Sequence, residues 1–285
     1  MQNLNELENR SIFIMREAVK KYKKPALLWS MGKDSTTMLH LARKAFFGKI
    51  PFPVVHLDTS FKFPGVYEFR EKYAKEFGIN LVIAQNKSAL QNGIKCGKEC
   101  DSSGVLICCN ELKTNALKQA IKENDFDAVF VGIRRDEHGV RAKERYFSPR
   151  DKNFAWNVSK EKIGGDSGLE ASQDSEMSGW NIYATEFREA DHVRIHPLLH
   201  WTELEIWNYI KQENIPVPNL YFSKNGKRYR SIGCKPACFP IESNADTIEK
   251  IISELGTTST KEREGRLQDK EREYTMEKLR SLGYM

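Results

Sequence analysis

Short apolar runs alternate with amphipathic stretches along the first half of the chain, and this alternation constrains the fold more than any other feature. The apolar runs have the length of single strands and lie at 26–29, 54–57, 81–84 and 128–131. Stretches with helical periodicity lie between them, at 36–47, 66–77 and 112–123. The pattern predicts an α/β fold, a parallel twisted sheet with helices on both faces. Because ligands bind beyond the carboxyl ends of such strands, each loop that follows a strand is a candidate site.

The loop after the first apolar run has the composition of a phosphate-binding turn. Its six residues are Ser30, Met31, Gly32, Lys33, Asp34 and Ser35. Backbone N–H groups at the start of the following helix favour anionic oxygens, Gly32 allows close approach, and Lys33 neutralises charge. Asp34 would hold magnesium or orient the loop. The pattern is not a Walker A loop, and an ordinary strand-to-helix turn is the alternative.

A basic loop follows the run at 128–131. Its cationic residues are Arg134, Arg135, Arg141, Lys143, Arg145 and Arg150. A solvated basic surface is one interpretation. The position just after a strand favours an anion clamp, since guanidinium groups bind phosphate or sulfate bidentately. We predict that Arg134 and Arg135 bind an anion and act in catalysis, with Asp136 and Glu137 orienting them or binding magnesium.

Six cysteines fall into two regions, with Cys96, Cys100, Cys108 and Cys109 in one and Cys234 and Cys238 in the other. In a reducing cytosol, such grouping indicates metal, cluster or sulfur chemistry rather than disulfides. Four thiolates would suit a 4Fe-4S cluster or tetrahedral zinc, and persulfide chemistry or buried cysteines without a role are further alternatives. The predicted ligands are Cys108, Cys109, Cys234 and Cys238, with Cys109 also catalytic and with Cys96 and Cys100 as sulfur handlers or extra ligands.

The net charge and the distribution of apolar residues limit the ligands, the location and the domain division that we expect. The net charge of +6 suits an anionic ligand such as a nucleotide, sulfate or RNA. No apolar run approaches the length of a membrane span, and the polar N-terminus lacks a signal core, so we expect a cytoplasmic protein. We assign 1–215 to an α/β domain with a flexible loop at about 159–179, and 216–285 to a C-terminal extension with the second cysteine pair and a charged tail.

Strings throughout the chain resemble the small subunit of sulfate adenylyltransferase. They lie at 27–35, 38–46, 51–53, 56–59, 67–70, 132–137, 141–145, 201–207 and 242–245. That subunit is similar to the PAPS reductase family within the PP-loop, or adenine nucleotide α-hydrolase-like, superfamily. The resemblance implies a Rossmann-like sheet that binds ATP and magnesium, AMP transfer, and cleavage between the α- and β-phosphates. It places the loop 30–35 on the phosphates and Asp58 and Thr59 near the adenosine.

The cysteines depart from that subunit and look like the cluster ligands of adenylylsulfate reductases and of iron–sulfur sulfurtransferases. Three residues rather than two separate Cys234 from Cys238. The leading hypothesis is an ATP-dependent sulfurtransferase. It would adenylate a carbonyl oxygen of a small molecule such as a nucleobase and replace that oxygen by sulfur from sulfide or a cysteine desulfurase.

The alternative hypothesis is sulfate adenylyltransferase working with a GTPase subunit. Thiolation of tRNA and reduction of adenylyl sulfate rank below both. We expect a homo-oligomer under the leading hypothesis.

Overall fold

The computed structural model describes residues 4–97, 107–137, 141, 144–155, 190–258 and 262–263. In chain order the main helices are α1 (Leu4–Lys21), α2 (Lys33–Ala45), α3 (Pro64–Glu76), α4 (Lys87–Gln91), α5 (Ile107–Cys109), α6 (Ala116–Asn124), α7 (Glu203–Glu213) and α8 (Ile248–Leu255). The strands are β1 (Pro25–Leu28), β2 (Val54–Leu57), β3 (Leu81–Ala84), β4 (Ala128–Phe130), β5 (Phe147–Arg150), β6 (His192–Ile195), β7 (Lys227–Arg228) and β8 (Ile241–Glu242). Cys100 and the predicted loop at 159–179 lie outside the described residues.

Six strands form one sheet in the order β3-β2-β1-β4-β6-β5. The first five in that order are parallel, which confirms the predicted α/β fold. Only β5, at the edge, runs antiparallel, with Phe147 opposite Ile195. The strands β7 and β8 pair separately as a small antiparallel ribbon. Because β1 lies at the centre with β2 and β4 on either side, the loops after these three strands meet at one edge of the sheet.

Apolar residues pack on both faces of the sheet. The larger core includes Leu27, Phe130 and Ile195 from the strands and residues of α1, α2 and α7. The smaller core places Leu117 and Ile121 of α6 against Val129. The central strand β1 is buried along its whole length, as its unbroken apolar sequence predicts. None of the described helices is both long and apolar enough to cross a membrane.

Two local features position the candidate site. The helix α7 begins with a capping box, in which the Thr202 hydroxyl accepts from the Glu205 N–H and the Glu205 carboxylate accepts from the Thr202 N–H. Between α5 and α6, the segment Asn110–Asn115 is π-helical, so α5 and α6 form one continuous helical run with a widened middle. Extra residues of this kind are frequent beside functional sites.

Candidate active site

The loop between β1 and α2 is tightened by its two serines. The Ser30 N–H donates to the Ser35 hydroxyl at 3.2 Å, and the two hydroxyl oxygens lie 3.0 Å apart. The Ser35 hydroxyl donates to the Gly32 carbonyl at 3.1 Å. Gly32 caps α2 in an extended conformation, so the helix begins at Lys33 with no side-chain cap. The first turn of α2 therefore has the arrangement that favours an anion.

The loop that follows β4 packs directly on this turn. A Cβ atom at Gly132 would lie 3.3 Å from the backbone N and Cα of Ser35, closer than most real contacts. Glycine is therefore needed here for the approach of two backbones rather than for an unusual φ. This contact brings Arg134, two residues further on, to the start of α2.

Two buried cations, Lys33 and Arg134, meet beside the loop. Both contact the carboxylate of Asp34, with the Lys33 ammonium 3.1 Å from Asp34 Oδ2. Both also contact the carboxylate of Glu262, which enters from the C-terminal part of the chain. The Lys33 and Arg134 side chains are 1% and 0% exposed, so each charge needs such a partner. An anionic group therefore fits between these two cations.

The pKa values follow this pairing. Burial acts to lower the pKa of Arg134, but the carboxylates of Glu262 and Asp136 outweigh it and raise that pKa. Burial acts to raise the pKa of Glu262, whereas Arg134 and Lys33 lower it to about 2. The Glu262 carboxyl is thus ionised at neutral pH and supplies one full negative charge to the cation pair.

Arg135, although adjacent in sequence, has other partners. Its guanidinium lies 2.8 Å from His200 Nε2 and donates to the Glu144 carbonyl at 2.9 Å. These contacts fasten Arg135 to the segment after β6, through His200, and to the segment before β5, through Glu144. The structure therefore brings Arg134 to the carboxylates that pair with Lys33. Arg135 instead contacts His200 and Glu144, and a catalytic role for Arg135 stays a prediction.

Asp58 and Thr59 follow β2 at the same edge of the sheet, as predicted. The Asp58 carboxylate accepts from the Tyr67 hydroxyl at 2.9 Å and lies 3.6 Å from Arg70. The Thr59 hydroxyl lies 3.2 Å from the sulfur of Cys234. The position of Asp58 is therefore set by α3, whereas Thr59 faces the cysteines.

Four cysteines converge beside Thr59. Cys96 interacts with Cys108 and Cys234 through thiol hydrogen bonds, and Cys108 interacts in the same way with Cys109. Hydrogen bonds from Cys109 and then Cys96 lower the pKa of Cys108, and a hydrogen bond from Cys96 lowers that of Cys234 to about 4. The pKa values of Cys96 and Cys109 are raised in turn. We call Cys96, Cys108, Cys109 and Cys234 the thiol group.

The thiol group differs from the predicted ligand set in one member. Cys238 is buried in the larger core, and Cys96 joins the other three in its place. Among the described residues, no three or more histidine, cysteine, aspartate or glutamate side chains are arranged to hold a metal ion. The described thiols associate through hydrogen bonds, and a cluster or zinc ion held by the predicted ligands stays a prediction.

Two contacts of the candidate site were absent from the sequence-based prediction. The Tyr221 hydroxyl accepts from the Lys33 N–H at 2.9 Å, and Glu262 joins the cation pair. Tyr221 ends a one-turn 3₁₀ helix, Asn219–Tyr221, and Glu262 lies in a charged stretch with many similar residues. Neither carries a sequence signal that separates it from its neighbours.

This chain is similar to known proteins along its whole length. The family model of the phosphoadenosine phosphosulfate reductase domain matches residues 24–240. Proteins named sulfate adenylyltransferase subunit 2 from Geotalea uraniireducens and Geobacter metallireducens are each 38% identical, over 100% of this chain and 98% of theirs. The alignments span 314 positions against 285 residues here, so these relatives carry segments that this chain lacks.

The fold is also similar to that of a solved structure. Candida glabrata FMN adenylyltransferase, in complex with FMN and the ATP analogue AMPCPP, superposes with a TM-score of 0.53 at 16% identity. The match covers 83% of this chain and 65% of that one. At this identity the likeness concerns the fold alone.

The family match and the full-length relatives together show that this chain belongs to the phosphoadenosine phosphosulfate reductase domain family of the PP-loop superfamily.

Proposed function

We propose that this chain transfers the adenylyl group of ATP to an acceptor oxygen and releases pyrophosphate, with sulfate as the first acceptor. One observation carries the proposal: the buried cations Lys33 and Arg134 share the same carboxylate partners at the start of α2. The relatives named sulfate adenylyltransferase subunit 2 support sulfate as the acceptor. Their designation as a subunit supports a partner chain, which under this proposal is a GTPase.

In this reaction an acceptor oxygen bonds to the α-phosphorus while the bond from that phosphorus to the bridging oxygen breaks. The electron pair leaves with pyrophosphate. Lys33 and Arg134 stabilise the charge that develops on this leaving group, and the first turn of α2 orients it. Magnesium, when bound, would neutralise phosphate charge, and Asp34 is the carboxylate that would hold it. Thr59 and Asp58 lie at the end of the neighbouring strand, where we place the adenosine.

The test is release of pyrophosphate from ATP and magnesium in the presence of sulfate, with adenylyl sulfate identified chromatographically. The assay is run on the chain alone and with a GTPase subunit from one of the full-length relatives. Sulfate-dependent formation of adenylyl sulfate would support the proposal. Pyrophosphate release that never depends on sulfate, with or without the partner, would reject sulfate as the acceptor.

The thiol group favours a second candidate, ATP-dependent sulfur transfer. Sulfate activation needs no thiols, yet four of them lie at the end of β2, one hydrogen bond from Thr59. In this candidate a carbonyl oxygen of the acceptor is adenylated and leaves with AMP, and sulfur takes its place.

A thiolate such as Cys234, whose pKa is lowered, would take sulfane sulfur from a cysteine desulfurase as a persulfide, and the outer sulfur would attack the adenylated carbon as AMP leaves. A second thiol of the group would then attack the Cys234 sulfur, which releases the thiolated acceptor and leaves a disulfide for an external thiol to reduce.

Two measurements separate the candidates. Thiolation of nucleobase acceptors, with a cysteine desulfurase, cysteine and a thiol reductant, is compared between Cys234→Ala and Cys238→Ala, a matched pair of which only Cys234 belongs to the thiol group. Selective loss in Cys234→Ala would support sulfur transfer, whereas full sulfate-dependent activity in both variants would favour sulfate activation. Iron, zinc and visible absorbance after anaerobic purification test the metal cluster, and a colourless, metal-free protein would reject it.

A further inference from the structure

A short piece of the C-terminal region reaches into the phosphate-binding loop. Glu262 lies 229 positions after Lys33 in sequence, yet its carboxylate contacts both Lys33 and Arg134. The Glu262 side chain is 6% exposed. The two cations that we assign to pyrophosphate are therefore already bridged by an anion that belongs to the chain.

The next residue anchors this piece. The Arg263 guanidinium lies 2.6 Å from Glu137 Oε1, in the loop that follows β4. The same Glu137 carboxylate contacts Arg141. The ion pair between Arg263 and Glu137 thus helps to hold Glu262 against the two cations. Two consecutive residues, and not Glu262 alone, contact the candidate site.

A phosphate chain carries more negative charge than a single carboxylate. Glu262 brings one negative charge, whereas pyrophosphate and the β- and γ-phosphates of ATP bring more and have oxygens for both cations at once. The Asp34 carboxylate already touches Lys33 and Arg134. Two carboxylates and a phosphate chain on the same two cations would place several like charges within a few ångströms of one another.

We propose that Glu262 occupies the subsite of the β- and γ-phosphates and is an internal competitor that ATP must displace. The proposal rests on the assignment of Lys33 and Arg134 to the phosphates, and it does not depend on which acceptor receives the adenylyl group. A fraction of the chain has Glu262 withdrawn at any moment, and only this fraction binds the phosphate chain. The apparent affinity for ATP is reduced by that fraction.

The direct test compares Glu262→Gln with the unaltered chain by calorimetric titration with inorganic pyrophosphate and with a non-hydrolysable ATP analogue. Because glutamine has nearly the same shape but no charge, we expect the Kd for pyrophosphate to fall by about tenfold. The matched control is Glu254→Gln, which removes a carboxylate paired with the buried Arg228 away from the loop. An unchanged or higher Kd in Glu262→Gln would overturn the proposal and would mark Glu262 as a residue that positions Lys33 and Arg134.

A second measurement uses the unaltered chain. Arg263 is buried against Glu137, so trypsin should cleave after it slowly. If pyrophosphate displaces Glu262, it should accelerate cleavage at Arg263, whereas protection by pyrophosphate would overturn the proposal. Pyrophosphate binding that tightens in Glu262→Gln without any adenylyl transfer to sulfate would sustain this inference and reject only the proposed acceptor. Absence of pyrophosphate binding in every variant would reject the inference.

Discussion

The two halves of the candidate site lie at the same edge of the sheet but are built from opposite chemistry. The anion half, Lys33, Asp34, Arg134 and Glu262, lies at the ends of β1 and β4 and consists of charges that neutralise one another. The thiol group lies beside the end of β2 and consists of weak acids that share hydrogen bonds. The comparison teaches that one strand end is suited to phosphate, whereas its neighbour carries polarisable sulfur atoms, two of them with lowered pKa values. We therefore expect changes in one half to leave the other in place.

The largest effect should come from removing a cation of the anion half. In Lys33→Ala, we expect ATP-dependent pyrophosphate release to fall by about 100-fold or more, because the leaving group loses a preorganised positive charge. The rate is measured at saturating ATP, and the reactivity of the thiols is measured in parallel and should not change. The control is Lys227→Ala, which removes an exposed lysine paired with Glu242 in the small ribbon. A Lys33→Ala variant with the full rate would remove the anion half from the mechanism.

An intermediate effect should follow from separating the two loops of the anion half. In Gly132→Ala, the added methyl group meets the backbone of Ser35, and we expect a loss of about 2 kcal/mol in the free energy of unfolding together with weaker ATP binding. Gly65→Ala is the control, since a Cβ there meets nothing within 4 Å. Denaturant titration and calorimetry report the two quantities. Equal stability of both variants would show that the loops can separate without cost.

The smallest effect concerns His56, which lies on β2, the strand whose end is beside the thiol group. Burial lowers the pKa of His56 from 6.5 to about 4, and its Nδ1 lies 3.1 Å from the Trp29 carbonyl. The native state thus keeps His56 neutral while the unfolded chain takes up a proton, so its stability contribution is complete above the unfolded pKa and is lost as pH falls below it. Between about pH 7 and about pH 5.5 the loss is about 1 kcal/mol.

In His56→Gln this part of the pH dependence should disappear. The free energy of unfolding is compared with that of the unaltered chain by denaturant titration at several pH values. If the variant loses as much free energy of unfolding on acidification as the unaltered chain, protonation of His56 does not contribute to the loss. The other buried histidines would then account for the whole effect.

The sequence predicted the elements that have a strong local signal. The central strands were predicted because both of their faces are apolar, and the loop 30–35 because glycine, lysine and two serines follow the first of them. The antiparallel β5 was not predicted, since Phe147–Arg150 alternates apolar and polar residues only briefly and contains Pro149. Strand direction at an edge depends on the connection, and no pattern of side chains specifies it.

The candidate site was predicted only where its residues are close in sequence to a strand end. Arg134 and Arg135 are adjacent residues of the same type, and the sequence does not distinguish them. In the structure, where Gly132 packs on Ser35, it is Arg134 that pairs with Asp34. Cys234 and Cys238 likewise form one pair in sequence, but the turn between them directs only Cys234 toward Thr59. Glu262 could not be predicted, because its role arises from a contact between distant parts of the chain.

The π-helical segment Asn110–Asn115 sets the direction in which the preceding residues Cys108 and Cys109 face. A π turn holds one residue more than an α turn, so the cysteines that precede it are rotated relative to α6, which is packed on the sheet. Because an α residue turns the chain further than a π residue does, refolding the same six residues as a regular α-helix would turn Cys108 and Cys109 by about 100° around its axis. Every residue that chemistry requires would still be present, and the thiols would nevertheless face away from Cys234. The position of the thiols thus depends on the conformation of this backbone segment as well as on the side chains.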